Sequence, residues 1–153
     1  MSIDLRELTD EVRADLASVR LGPGQDQFVS TVEDSLAEAV ECADANPWYR
    51  AVYADGQIAG FVMISWDLRP VPEGYRGPWF LWKLIIDRDH QHRGLGRQVV
   101  RTIADLVRSE GGSELLTSFV EGPGGPQDFY LGLGFVPTGE LDEEGEVLLA
   151  LPL

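Results

Sequence analysis

The chain has 153 residues, 44% of them hydrophobic, with four Trp, one Cys and a formal net charge of −14. That length fits a single domain able to bury a substantial core. The acidic balance excludes nucleic acid, which needs a basic face; no apolar run reaches the length of a membrane span; and a lone cysteine, Cys42, excludes an internal disulfide. The opening Met1-Ser2-Ile3-Asp4 carries no secretory pattern, so the cytoplasm is the expected compartment.

Ile3 to Leu8 alternates apolar and polar residues and predicts a first strand. Thr9, followed by Asp10 and Glu11, predicts an N-cap and a helix to about Val19. Gly22-Pro23-Gly24 breaks the chain. A second helix is expected from about Ser30 to Ala43, with Val32, Leu36, Val40 and Ala43 on its apolar face and Asn46-Pro47 as its stop. Trp48 to Tyr53 and Ile58 to Trp66 predict a hairpin across Asp55-Gly56. After a loop from Pro70 to Pro78, residues 79–87 predict a central strand. A glycine turn and a long helix to about Glu110 follow, ended by Gly111-Gly112. A strand from Leu115 to Val120, a loop from Gly122 to Pro126 and a short helix from Gln127 to Gly132 come next. Phe135 to Glu140 and Glu146 to Leu151 predict a last antiparallel pair. The order predicts an α/β (α+β) sandwich: a mixed, mostly antiparallel sheet of six to seven strands flanked by about four helices, in one domain over residues 1–153.

Charge is unevenly spread. Lys83, Arg88, Arg93, Arg97, Arg101 and Arg108 are six of the twelve basic residues, and none lies beyond Arg108, where the tail carries Glu140, Asp142, Glu143, Glu144 and Glu146. Such a field draws an anion to the middle of the chain and a cation to its acidic surroundings. The basic cluster surrounds a motif. Trp79-Phe80-Leu81-Trp82-Lys83-Leu84-Ile85-Ile86 leads through Asp87 into Gln91-His92-Arg93-Gly94-Leu95-Gly96-Arg97, which opens the long helix. Strand, glycine turn and helix together hold an anion: the glycines let successive N–H groups converge, and the helix end adds about 0.3–1 kcal/mol per charge interaction. No Gly-Lys-Ser/Thr follows Gly96, and the third glycine of the dinucleotide fingerprint is missing.

The spacing Gln91-x-x-Gly94-x-Gly96 resembles the pyrophosphate loop of the GNAT N-acetyltransferase family, and the element order is similar to that family's fold over essentially the whole chain. The resemblance implies acetyl-CoA (coenzyme A) as co-substrate, no metal, and cofactor contacts from Gln91, His92, Arg93, Gly94, Leu95, Gly96 and Arg97. It implies that the central strand splays from its neighbour at a bulge, freeing backbone groups of Leu84 and Ile86 for the pantetheine arm and the thioester oxygen. Phe129-Tyr130-Leu131-Gly132-Leu133-Gly134-Phe135 resembles a second family segment whose Tyr faces the sulfur. This implies Tyr130 as a general acid for the departing thiolate, a task suited to a phenol of ordinary pKa about 10. Two departures stand out. The Asn that often precedes the Tyr is missing from Val120 to Pro126, and the central strand reads Leu81-Trp82-Lys83 where an acid is often found. The general base is left open between Glu73, Asp67 and a water chain.

Leu81, Lys83, Ile86-Asp87, Gln91 and the ending Thr138-Gly139-Glu140-Leu141-Asp142 with Gly145-Glu146 are similar to bacterial diamine and spermine/spermidine acetyltransferases. With the acidic surface, this implies a small polyamine-like cation as acceptor, attacking directly in a ternary complex. An antibiotic or other small amine as acceptor, and a non-catalytic acyl-CoA-binding regulatory module, are the alternatives. Gln27, Phe28, Glu33 and Asp34 are expected to roof the acceptor cleft, with Glu73 and Trp82 beside it. Trp48, Trp66 and Trp79 either wall the amine by cation–π contact or pack the core. The resemblance leaves a homodimer open, and neither nucleic acid nor a membrane is expected as a partner.

Overall fold

Asp55 and Gly56 both hold positive φ, 49° and 83°, and so make the tight turn that joins β2 (Pro47–Ala54) to β3 (Gln57–Ser65). In the computed structural model, which describes residues 2–142 and 144–153, the other strands add on either side of this hairpin. β1 (Ile3–Arg6) adds antiparallel to β2, and β4 (Phe80–Ile86) antiparallel to β3. β5 (Glu114–Phe119) pairs with β4 in parallel; β7 (Val147–Pro152) and β6 (Val136–Leu141) then close the order β1-β2-β3-β4-β5-β7-β6. The sheet is therefore mixed and mostly antiparallel, with seven strands among the described residues.

Period-2 alternation sends successive side chains to opposite faces, and each face has its own helices. Ala51, Tyr53, Phe61, Met63 and Ile85 pack under α1 (Asp10–Leu16) and α2 (Val32–Glu41). Val52, Val62, Ile64 and Leu81 pack on the other face under α3 (Leu95–Ser109), with Tyr130 of α4 (Gln127–Gly132) in the same cluster. α3 buries Leu95, Val99, Val100, Ile103, Ala104 and Val107 in one stripe. Each large aliphatic side chain so covered stabilises the fold by roughly 1.5–3 kcal/mol. No helix among the described residues is long and apolar enough to cross a membrane.

Some boundaries and one face differ from expectation. Thr9 does cap α1, its hydroxyl accepting from the Val12 N–H at 3.2 Å, but the helix ends at Leu16 rather than near Val19. β1 stops at Arg6, short of Leu8. α2 starts later than Ser30, because the Thr31 hydroxyl takes the Asp34 N–H at 3.1 Å and sets the cap there. Its buried residues are Val32, Ser35 and Ala39, while Val40 is 80% exposed. An apolar-only pattern misses Ser35, which is buried because its hydroxyl donates to the Thr31 carbonyl at 2.8 Å. That rotates the stripe and turns Val40 out.

Candidate functional site

β4 and β5 are held together at Phe80 opposite Leu116 and Leu81 opposite Thr117, after which the strands part. The Thr117 hydroxyl closes the last rung by donating to the Leu81 carbonyl at 2.9 Å. On its other edge β4 carries a bulge: Lys83 lies opposite Met63 and Leu81 opposite Ile64, so Trp82 has no partner. The extra residue switches which groups point sideways. Beyond it, the Asp87 N–H bonds the Ala59 carbonyl at 2.7 Å, so odd-numbered residues turn their polar groups to β3. The N–H and C=O groups of Leu84 and Ile86 therefore face the gap left by β5. A cleft of about 1130 Å³ opens there.

The N-terminus of α3 forms one wall. Gly94 is its N-cap at φ 78°, and no side chain caps the first turn or places a carboxylate in it. The N–H groups of Leu95, Gly96 and Arg97 are left for an anion. The conformation at Gly94 disfavours any L side chain. A Cβ on Gly96 would lie 3.2 Å from the Phe129 ring, so the glycine lets α4 come close to this turn.

Hydrogen bonds fix the turn in place. Asp87 is buried; its carboxylate accepts from the Arg20 N–H at 2.8 Å, the Asp89 N–H at 3.1 Å and the His90 ring at 3.2 Å. Burial pushes this carboxyl up, but the Arg20 N–H, the His90 ring and the Asp89 N–H together hold it below the usual range. Gln91 and Gln25 exchange reciprocal amide bonds at 2.8 and 3.0 Å, and Gln91 also donates to the Ile86 carbonyl at 2.9 Å. The Gln91 side chain thus braces the turn against the segment before α2.

Tyr130 lines the cleft from the α3–α4 face, its ring 5.2 Å from Phe129 and 5.3 Å from Phe135. Burial pushes its hydroxyl up to about 12, partly opposed by the Thr117 hydroxyl. The opposite face of the cleft is charged. Lys83 is almost buried and sits 2.8 Å from Glu38 of α2, with its ammonium donating to Ser30 at 3.1 Å. At the far rim Glu146 accepts from the Ser118 hydroxyl at 3.2 Å, and the Asp142, Glu144 and Glu146 carboxylates come within 4.8 Å of one another. Burial first, then repulsion by Asp142 and Glu144, raises the Glu146 carboxyl above its ordinary value.

The cleft gathers Leu84, Ile86, Gln91, His92, Gly94, Leu95, Gly96, Arg97, Phe28, Trp82 and Tyr130. Arg93 is exposed and does not line it. The side chain of Gln27 lies outside what is described. Glu73 is exposed and does not line the cleft; the turn closed by the Tyr75 N–H on the Pro72 carbonyl at 3.1 Å brings Gly74, Tyr75 and Arg76 to it instead. Asp67 pairs with Arg69 at 2.6 Å. Trp66 packs on Trp48 and Trp79, at 5.5 and 4.9 Å, in the core and not on the cleft. Gln25, Lys83–Glu38 and Ser118–Glu146 carry no signal in the sequence, since each matters only through a partner distant along the chain.

Comparison with known proteins gives the family and the fold. The family model described as "Acetyltransferase (GNAT) family" matches residues 10–135. A probable spermine N(1)-acetyltransferase from Bacillus subtilis subsp. natto is 26% identical over the full length of both chains. An acetyltransferase from Thermus thermophilus superposes with a TM-score of 0.72 at 21% identity, covering 100% of this chain and 98% of its own. The PaiA N-acetyltransferase from Thermoplasma acidophilum, solved with coenzyme A, gives 0.69 at 14% identity over all of both chains.

The Asp87 network makes stability depend on pH with a defined sign. The folded-state pKa lies below the unfolded one, so the carboxylate's contribution is complete above the ordinary Asp range and is lost as pH falls through that range towards the depressed value. Thermal denaturation on stepwise acidification should show wild-type Tm falling more steeply than that of Asp87→Asn, which starts lower at neutral pH. Parallel curves would remove Asp87 from this role.

Proposed function

The chain belongs to the acetyltransferase (GNAT) family, and from that premise we propose that this N-acetyltransferase passes the acetyl group of acetyl-CoA to a primary amine of a small, polyamine-like cation in a ternary complex. The observation that carries the reading is the divergence of β4 from β5 beside the uncapped N-terminus of α3. The turn from His92 to Arg97 offers converging N–H groups to a pyrophosphate. The Leu84 N–H and carbonyl and the Ile86 N–H offer the donors and acceptor that an extended amide-bearing arm and a thioester oxygen need, the Ile86 carbonyl being held by Gln91. A donor aimed at a developing oxyanion is worth about 3 kcal/mol in other enzymes. Holding amine and thioester in one cleft supplies much of the remaining acceleration by proximity.

Tyr130 is suited to the last proton. Held at about 12 by burial, it stays neutral and protonated throughout the working range. It then has a proton for a departing thiolate without placing a standing charge beside the thioester. The acceptor class rests on charge. Among the described residues, Asp26, Asp34, Glu38, Glu41, Asp142, Glu144 and Glu146 line the cleft, against Arg76, Lys83 and Arg97 with His90 and His92. The named relative from Bacillus subtilis subsp. natto, a probable spermine acetyltransferase, points the same way.

Release of free thiol from acetyl-CoA over a panel of amines tests the reading. Polyamines should turn over with a kcat/KM that falls as salt rises. Good acetylation of neutral amines with none of polyamines would discard the acceptor class; no thiol release with any amine would discard catalysis. Gly94→Val and Gly96→Val should abolish acetyl-CoA binding in calorimetric titration while the fold is kept, and unchanged affinity in both would overturn the role of the turn. Tyr130→Phe should lower kcat roughly 10²-fold with little change in acetyl-CoA affinity, whereas full activity would return the tyrosine to packing.

A further inference from the structure

Building on the proposed acetyl transfer, we infer that Glu146 is the general base that takes the proton from the acceptor's ammonium group. Sheet parity sets its position. On β5, Leu115, Thr117 and Phe119 are buried, and Leu115 and Phe119 belong to the cluster that holds α3 and Tyr130. Ser118 therefore projects to the other face. Lys83 lies opposite Met63, which packs under α1 and α2, so it shares the face of Ser118. Ser118 lies opposite Leu148, and Glu146 stands two residues before Leu148 on the same side. The hydrogen bond from Ser118 to Glu146 at 3.2 Å agrees with this assignment. The wedge between β4 and β5 thus has Tyr130 on one face and Glu146 on the other, and both line the one cleft.

The neighbouring acids are not equivalent to it. One oxygen of Asp142 accepts the N–H groups of Glu144 and Glu146, both at 2.9 Å, and is used to hold the turn. Glu144 is exposed. Glu146 is half-buried, lines the cleft, and has a neutral hydroxyl as its partner. Among the described residues, the carboxylates and cations lining the cavity with it are Asp142 and Glu144 on its own turn, Asp26 before α2, Asp34, Glu38 and Glu41 of α2, Lys83 of β4, Arg76 of the loop before β4 and Arg97 of α3; β5 contributes no charged group. Lys83 and Glu38 neutralise each other at 2.8 Å. The surplus is negative, which attracts an ammonium and raises the basicity of the carboxylate that receives its proton.

The step balances. The Glu146 carboxylate takes one ammonium proton and passes it to water. The freed amine forms the C–N bond, the C–S bond breaks, and the thiolate takes the phenolic proton of Tyr130. The second nitrogen proton returns to the tyrosinate through water. The products are an acetamide, a free thiol and one proton in solution.

The test is a pH–rate profile with a polyamine that the wild-type enzyme acetylates. Glu146→Gln should lower kcat about 10²-fold near neutral pH with acetyl-CoA affinity unchanged by titration. The deficit should close as pH approaches the amine's own pKa of about 10, where the acceptor arrives deprotonated. Glu144→Gln removes the same charge from the same rim and should raise KM at low salt without the loss of kcat. Equal losses of kcat in the two variants, or a Glu146→Gln profile that follows the wild type, would overturn the assignment while leaving acetyl transfer standing. A wild-type enzyme that acetylates no amine would overturn both.

Discussion

The site depends on β4 abandoning β5 after Phe80 and Leu81. A parallel pair normally continues, because each rung satisfies buried backbone groups. Here local features accompany its end. The Thr117 hydroxyl adds to the Leu81 carbonyl at the last rung. The bulge at Trp82 then reverses the polarity of the strand edge. What results is a line of peptide groups along the cleft, of which the Ile86 carbonyl is taken by Gln91 and the others face whatever fills the wedge. Backbone groups so placed need no side chain and tolerate wide change in the residues that carry them.

A wedge in a sheet is unstable unless something holds it open, and buried polar groups perform that task here. Asp87 ties the end of β4 to Arg20 in the segment after α1, and Gln91 ties the same turn to Gln25. Lys83 reaches from β4 to Glu38 and Ser30, fixing α2 over that face of the cleft. Phe28 reaches the far side, where a Cβ on Gly122 or Gly125 would lie 3.1 or 3.2 Å from its ring. The glycine-rich loop that replaces the usual Asn segment is therefore shaped to the roof. Asp87, Gln91 and Lys83 each have a partner on a different element, which matters because a half-satisfied buried polar network is less stable than an apolar one.

What is legible in the sequence follows from the range of the forces involved. The Asp55-Gly56 hairpin, the stripe of α3 and the Gly94–Gly96 turn depend on neighbours within a few residues, and sequence spacing locates them. The stripe of α2 escapes such a reading because Ser35 is buried by a hydrogen bond that a hydrophobic pattern does not record. Spacing locates Gln91 in the turn but says nothing of its side chain's partner, since Gln25 lies 66 residues away. The place of Glu73 in its loop suggests a position beside the acceptor; the turn geometry there sends Arg76 inward instead. Ser118 and Glu146 are separated by 28 residues, on neighbouring strands whose register no local pattern states.

That register has a chemical consequence. Acyl transfer from a thioester to an ammonium needs one group that removes a proton and another that supplies one, and each must be in its charge state at the same pH. If both lay on one side of the wedge at close range, the carboxylate's charge would disfavour ionisation of the phenol and compete for its proton. The sheet separates them. Tyr130 is enclosed by Phe129 and Phe135 on the α3–α4 face, where burial raises its pKa to about 12. Glu146 is on the α1–α2 face among other carboxylates, where burial and like charge raise it from the opposite end of the scale. Alternation along β5 assigns these environments, since Thr117 and Ser118 are adjacent in the chain and face opposite ways. A one-residue slip between β5 and β7 would bring Glu146 to the phenol's side. Asp142, by accepting two backbone N–H groups within the turn that leads into β7, fixes the backbone from which Glu146 projects to the face of Ser118.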